Sequence, residues 1–227
     1  MANFTFQGST YKYFTHTYND TRHNERAVEI ALALDLIEKN KNGSILEVGD
    51  VLPNYTDFKH LIVDKYDSGD NTIHMDIVNY NPPEKFDLII SISTIEHVGW
   101  DSGEERWSGK SLKALKHLQN LLKPGGLMMF TFPLGYNEEI DKLLKDKKID
   151  FAELYCLKRD DYNGWDETPL DEALKADYRR EACRVGCVGD AAIIQQYSTY
   201  LIVGFIRYPR EPKNYSAIFV AQMEATN

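Results

Sequence analysis

Two apolar stretches decide the fold, Ser44-Ile45-Leu46-Glu47-Val48-Gly49-Asp50 and Phe86-Asp87-Leu88-Ile89-Ile90-Ser91-Ile92-Ser93. Each is a short run with β-branched residues that stops at small or polar residues, which is typical of a buried parallel strand. Parallel strands in an open α/β sheet deliver their carboxyl ends to a ligand crevice. We therefore expect the functional site where these two strands end.

The elements around the two stretches alternate between strands and helices. This alternation predicts a doubly wound, mostly parallel, Rossmann-like α/β sheet with right-handed crossovers. The predicted elements are a helix over 27–38, strands over 60–63 and 71–77, a helix over 111–122 and a strand over 127–132.

The two ends of the chain give weaker patterns. Residues 1–24 are aromatic and polar and suggest an irregular arm, whereas 25–135 hold the predicted core. In 136–227 we expect a substrate-side region with an antiparallel C-terminal edge. No repeat or linker marks a boundary, so 1–227 is predicted to be a single domain. The expected elements after the core are a helix over 138–147, strands over 151–157, 197–206 and 217–222, and a long polar region over 159–191 that contains Trp165.

Composition limits the classes of function. The chain has 227 residues, is 43% hydrophobic and carries a net charge of −9. An acidic balance argues against a nucleic-acid binder and favours a small-molecule substrate. Three cysteines at no disulfide spacing and a start without a basic and apolar leader predict a reduced, cytoplasmic protein, and no membrane span is expected. The oligomeric state stays open.

The first stretch carries a recognisable motif. Leu46-Glu47-Val48-Gly49-Asp50 resembles the first motif of class I S-adenosylmethionine-dependent methyltransferases, in which an acidic residue stands two positions before a glycine. A residue without Cβ lets the backbone approach the cofactor, and a nearby carboxylate suits its ammonium and sulfonium charges. The resemblance implies that Asp64 accepts hydrogen bonds from the ribose hydroxyls and that Asp76 and Ile77 hold the adenine. The cofactor-binding residues predicted in this way are Glu47, Gly49, Asp50, Asp64, Asp76, Ile77 and Ser93.

Two further segments are similar to the same family in the same order. They are the segment from Phe86 to Val98 and Leu121-Leu122-Lys123-Pro124-Gly125-Gly126, so the resemblance covers roughly 25–135. The combination of 46–55, Val63-Asp64-Lys65-Tyr66 and 96–101 also resembles methyltransferases of bacterial surface-sugar biosynthesis. It implies S-adenosylmethionine as the cofactor and a sugar or nucleotide-linked sugar as the methyl acceptor.

Residues just after the second stretch are candidates for catalysis and acceptor binding. A methyl acceptor that is a hydroxyl needs a general base, and an imidazole can hold a neutral nitrogen near pH 7. His97 is the predicted base, with Glu96 and Asp101 as alternatives, and Trp100 is a predicted wall of the acceptor site. Packing of His97 beneath the next helix is an equal alternative.

Arg22 and Arg26 stand at the start of the first predicted helix. Two arginines at this position suit an anionic substrate, which is the role we predict for them. Ordinary solvated arginines are the alternative.

The residues leave two alternatives to an active methyltransferase, and they also bear on a metal site. Val51 and Pro53 stand where the family usually has further glycines, so an inactive methyltransferase-like scaffold stays open. A nicotinamide-dependent oxidoreductase would need a fuller Gly-x-Gly-x-x-Gly fingerprint. No histidine pair has helical ligand spacing, and Cys183 and Cys187 are interpreted as ordinary thiols, so we predict no metal.

Overall fold

A computed structural model describes residues 3–100, 108–175, 184–186, 195–197 and 199–209. Asp101, Cys183, Cys187 and the predicted strand over 217–222 lie outside these ranges. The described strands are β1 (Asn3–Phe6), β2 (Ser9–Lys12), β3 (Ile45–Val48), β4 (Leu61–Asp64), β5 (Thr72–His74), β6 (Phe86–Ile92), β7 (Leu122–Pro133), β8 (Glu153–Arg159), β9 (Trp165–Thr168), β10 (Arg184–Gly186), β11 (Gln195–Tyr197) and β12 (Tyr200–Arg207). The described helices are α1 (Arg26–Lys39), α2 (Lys110–Asn120), α3 (Glu138–Lys145) and α4 (Leu170–Ala173).

An eight-stranded sheet forms the centre of the molecule. Its strand order is β5-β4-β3-β6-β7-β12-β8-β9. The first five of these strands are parallel, whereas β12 runs antiparallel to both neighbours and β9 runs antiparallel to β8. The predicted doubly wound, mostly parallel sheet with an antiparallel C-terminal edge is therefore confirmed.

The strand order reverses at β3, which lies between β4 and β6. The chain leaves β3 toward β4 on one side and returns to β6 on the other. In open α/β sheets, such a switch point leaves a crevice beyond the carboxyl ends of the two strands. This places the ends of the two stretches quoted above side by side.

Apolar side chains cover both faces of the sheet. On one face, α1 packs through residues such as Val28 and Ile30 against Leu88 and Ile90 of β6. On the other face lies a second cluster that contains side chains of α2 and α3. Burial on both faces explains why the parallel strands are continuous apolar runs rather than alternating ones.

The N-terminal residues form a hairpin, so the predicted irregular arm is wrong for residues 3–12. Phe4 and Phe6 alternate with exposed residues and are buried, which is the period-two pattern of a half-buried strand. Gln7 and Gly8 have φ values of 51° and 71°, as a two-residue type I′ turn requires. The hairpin packs on the same face of the sheet as α1.

The stretch after residue 159 is also more ordered than expected. The predicted polar region contains β9, which pairs with β8, and Trp165 on it is buried. A tight turn precedes it, in which the Asp160 carboxylate accepts hydrogen bonds from the backbone N–H of Tyr162 and Gly164. Within the described ranges, no helix is long and apolar enough to cross a membrane.

Candidate functional site

The turn after β3 is built around Gly49. Its φ is +92°, and a Cβ at this position would lie 2.1 Å from Oγ1 of Thr94, far inside van der Waals contact. Thr94 follows β6 across the switch point. Glycine is thus needed here for two reasons within the protein itself, the backbone conformation and the close approach to Thr94.

Glu47 holds this turn from beneath. Its Oε1 accepts hydrogen bonds from the backbone N–H of Val51 and Leu52, at 3.1 and 2.9 Å, and its Oε2 lies 2.6 Å from Nε2 of His60. Burial raises the pKa of Glu47, although these hydrogen bonds act in the opposite direction. Glu47, a predicted cofactor-binding residue, is not among the residues that line the neighbouring cavity. In this arrangement its carboxyl group supports the turn after β3.

A cavity of about 220 Å³ lies beyond the carboxyl ends of β3 and β4. This is below the roughly 300–1,000 Å³ of typical ligand pockets, so a ligand of that size class would extend beyond the enclosed space. Val51 lines the cavity without closing it, whereas Pro53 does not line it. Six of the predicted site residues line it, namely Gly49, Asp50, Asp64, Asp76, Ile77 and His97.

Asp64 ends β4 with its carboxylate fixed by backbone groups. Its Oδ2 accepts from the N–H of Asp50, while Oδ1 accepts from the N–H of Tyr66 and Asp67, at 2.6 and 2.8 Å. An ionised carboxylate has about four acceptor positions, so it can accept a further hydrogen bond from a ligand hydroxyl. The three N–H donors hold it ready in one orientation.

Asp76 follows β5 and is paired with a lysine from α2. Its Oδ2 lies 2.6 Å from Nζ of Lys110, and its Oδ1 accepts from the N–H of Val78. Burial raises the pKa of Asp76, but the hydrogen bonds from Lys110 and Val78 outweigh it, and the pKa lies below its usual value. Lys110 also lines the cavity, and sequence reasoning missed it. It precedes the helix predicted from 111, and only the folded chain brings it to Asp76.

His97 also lines the cavity. Its ring stands 4.5 Å from that of Tyr136, centroid to centroid, and its Nε2 is 3.8 Å from Oε1 of Glu96. Its side chain is partly exposed, so the alternative of a ring packed away beneath a helix does not describe this arrangement. Trp100 is half-buried, and its backbone N–H donates to the carbonyl of His97.

Glu96 and Ser93 lie away from the cavity lining and belong to a second group of polar residues. Oγ of Ser93 donates to Oε1 of Glu29 at 2.6 Å, and Oγ1 of Thr131 donates to the same atom. Burial raises the pKa of Glu96 well above its usual value, and the charge of Glu29 adds to this effect. Ser93, predicted as a cofactor residue, instead contacts Glu29 of α1.

The two predicted substrate arginines differ from each other. Arg22 is exposed and pairs with Asp20 at 3.1 Å, as an ordinary surface arginine would. Arg26 is largely buried, and its guanidinium donates to Oε2 of Glu29. The structure therefore brings Arg26, but not Arg22, into the group around Glu29.

Comparison with known proteins gives structural likenesses only. No family model and no curated protein matches the sequence. The N-methyltransferase NodS from Bradyrhizobium japonicum is 15% identical over 82% of this chain and 98% of its own, with a TM-score of 0.40. An S-adenosylmethionine-dependent methyltransferase from Clostridium acetobutylicum is 15% identical over 78% of this chain and 89% of its own, with a TM-score of 0.39.

A third similar structure is a possible histamine N-methyltransferase from Thermotoga maritima. It is 15% identical over 81% of this chain and 91% of its own, with a TM-score of 0.40. At these scores the similarity assigns no activity to this chain. The fold assignment rests on the strand order described above, and the activity has to be inferred from the site.

Proposed function

We propose that this chain is an S-adenosylmethionine-dependent methyltransferase that acts on a small molecule. One observation carries the proposal. Three neighbouring parallel strands end at one cavity at the switch point, and the residues at each of these ends include an acidic one. Gly49 and Asp50 follow β3, Asp64 ends β4 and Asp76 follows β5. An arrangement of this kind suits a nucleoside, whose hydroxyls and amino group are hydrogen-bond donors.

The residues of the cavity fit the parts of this cofactor. Asp64 would accept hydrogen bonds from the ribose hydroxyls, and Asp76 and Ile77 would contact the adenine. Gly49 would let the backbone approach the remainder of the molecule. When bound, the cofactor supplies a methyl group on a sulfonium, which is activated for displacement by a nucleophilic atom of the acceptor.

The protein's own contribution to the reaction is alignment and proton transfer. Holding two reactants in a near-attack geometry contributes about 7–11 kcal/mol in well-oriented systems. For a hydroxyl acceptor, His97 at the edge of the cavity would take the proton, a role worth about 10²–10⁴-fold in rate. We propose a sugar or nucleotide-linked sugar as the acceptor, because the motifs in the sequence resemble those of surface-sugar methyltransferases.

The inactive scaffold is the weaker alternative. It was suggested by Val51 and Pro53, yet the cavity beside Val51 stays open and its carboxylates are ordered by hydrogen bonds.

The test is calorimetric titration with S-adenosylhomocysteine of the wild type, of Asp64→Asn and of Asp70→Asn. Asp70 is an exposed acidic residue on the same loop and serves as the matched control. Hydrogen bonds to a charged group contribute about 1.5–3 kcal/mol, so Asp64→Asn should weaken binding by roughly tenfold to hundredfold. The control should bind as the wild type does. Absence of binding by the wild type would leave the scaffold as the better account.

A further inference from the structure

Three carboxyl groups near the cavity affect one another's charge, and two arginines act on them. Glu25 and Glu29 come from the beginning of α1, and Glu96 comes from the turn after β6. We call these three residues the carboxyl cluster. Arg26 acts on Glu25 and Glu96 and Arg159 acts on Glu25, so three ionised carboxylates and two guanidiniums would leave a net charge of −1.

Among the three members of the carboxyl cluster, only Glu29 has a hydrogen-bond partner in the described ranges for both of its carboxyl oxygens. Glu29 accepts from Ser93 and Thr131 through Oε1 and from Arg26 through Oε2. Oε2 of Glu25 and Oε2 of Glu96 are both buried, and neither has a hydrogen-bond partner within the described part of the chain. Glu96 as a whole is 1% exposed.

Buried polar atoms in native proteins almost always have partners, so two such atoms in one cluster require an explanation. An unpartnered carboxylate is costly in a protein interior, and carboxyl groups in such surroundings cluster at functional sites. Within the described ranges, no three side chains of His, Cys, Asp or Glu are arranged to hold a metal ion. A cation that brings its own N–H donors fits the cluster better.

The carboxyl cluster borders the proposed cofactor cavity. Oε1 of Glu96 is 3.8 Å from Nε2 of His97, and His97 lines the cavity. Thr94, which also lines the cavity, is the direct chain neighbour of Ser93, the donor to Glu29. A small molecule that reaches past His97 would therefore bring one end to Glu96 and keep the other end at the cavity.

We propose that the carboxyl cluster binds a protonated amino group of the methyl acceptor, between Glu25 and Glu96. An ammonium has three N–H donors and one positive charge, and it would satisfy both unpartnered oxygens and reduce the net charge of the site. A role of this site in methyl transfer rests on the proposed function. The site refines that function, because it makes the methyl acceptor an amine. An amino sugar would combine this feature with the proposed sugar acceptor.

The same arrangement accounts for release of the proton that an amine must lose before its nitrogen can react. An N–H bond of the bound ammonium breaks, an O–H bond forms on Glu96, and the lone pair stays on nitrogen. A carboxylate that is surrounded by Glu25 and Glu29 gains from this transfer, because the proton removes one of three like charges.

The experiment uses the full chain labelled with ¹³C at the glutamate carboxyl carbons. Ethylammonium chloride is titrated in as the probe, with potassium chloride and magnesium chloride at equal ionic strength as comparisons. The two resonances of interest are assigned by their loss in Glu25→Gln and Glu96→Gln. Glu84→Gln, which alters an exposed glutamate, is the control variant.

We expect ethylammonium to shift the Glu25 and Glu96 resonances saturably, with no such effect of the two metal salts. Binding should weaken by at least about tenfold in Glu96→Gln and remain unchanged in Glu84→Gln. Absence of a saturable shift, an equal shift with a metal salt, or undiminished binding in both cluster variants would overturn the proposal. If Glu96→Gln does not fold, Glu25→Gln decides.

Binding of S-adenosylhomocysteine is measured on the same samples. Normal binding of this ligand without an ammonium effect would remove the cluster proposal and leave the methyltransferase proposal intact. An ammonium effect without binding of S-adenosylhomocysteine would remove the methyltransferase proposal and leave the cluster proposal intact, since the probe contacts the carboxyl cluster and not the cavity.

Discussion

The substitution Gly49→Ala tests the account of the central turn, with Gly8→Ala as its matched control. Both glycines have positive φ, +92° and +71°, so an alanine costs about 1–2 kcal/mol of backbone strain at either place. Only at Gly49 would the new Cβ collide with a neighbour, at 2.1 Å from Oγ1 of Thr94 and 2.8 Å from its Cγ2. Forcing extra atoms into a packed site adds about 1–3 kcal/mol.

We therefore expect Gly49→Ala to lower the free energy of unfolding by about 2–5 kcal/mol, and Gly8→Ala by about 1–2 kcal/mol. Urea unfolding followed by circular dichroism measures both losses. In a Thr94→Ala background, the collision is relieved in part, so the loss from Gly49→Ala should shrink by about 0.5–3 kcal/mol. Equal losses at the two glycines, or no coupling to Thr94, would refute the close approach as the reason for glycine.

Three further predictions concern buried ionisable groups. Burial and the charges of Glu29 and Glu25 raise the pKa of Glu96, whereas Arg26 lowers it, and His97 lies beside the carboxyl group. The contribution of Glu96 to the free energy of unfolding is therefore fully present below about pH 4.5. This contribution is lost as the pH rises through the folded-state pKa of Glu96. Glu96→Gln should therefore raise the unfolding midpoint at pH 7 and raise it less at pH 5, as measured by thermal denaturation. His60→Ala should cost about 1–3 kcal/mol in urea unfolding, because it leaves Oε2 of the buried Glu47 carboxyl group without its hydrogen-bond partner, and Glu47→Gln should recover part of this loss. Lys110→Met should cost about 1–2 kcal/mol at pH 7, and this loss should fade below pH 3.8 as Asp76 becomes protonated; a loss that does not depend on pH would contradict the ion pair.

The sequence predicts the central sheet well because local patterns decide it. The apolar runs at 45–48 and 86–92 are buried on both faces, and this makes them recognisable without any knowledge of their neighbours. The positions of Gly49, Asp64 and Asp76 follow from strand ends and from the resemblance of the surrounding motifs to those of known methyltransferases. The sequence does not predict the N-terminal hairpin, because its aromatic residues are buried only through packing on α1 and the sheet.

The carboxyl cluster and Lys110 could not be predicted, since both depend on contacts between distant segments. Glu29 meets Thr131 across 102 residues, and Lys110 meets Asp76 across 34. In the sequence, Glu25 and Glu29 are ordinary charged residues at a helix start, where carboxylates are common. Burial alone makes them unusual, and burial is a property of the folded chain.

The most direct test of the methyltransferase proposal is a crystal structure of the protein grown with saturating S-adenosylhomocysteine. The account predicts density for the nucleoside in the cavity, with the ribose hydroxyls at the carboxylate of Asp64 and the adenine beside Asp76 and Ile77. An empty cavity in crystals of a protein saturated with the ligand, or density at another place on the molecule, would contradict it.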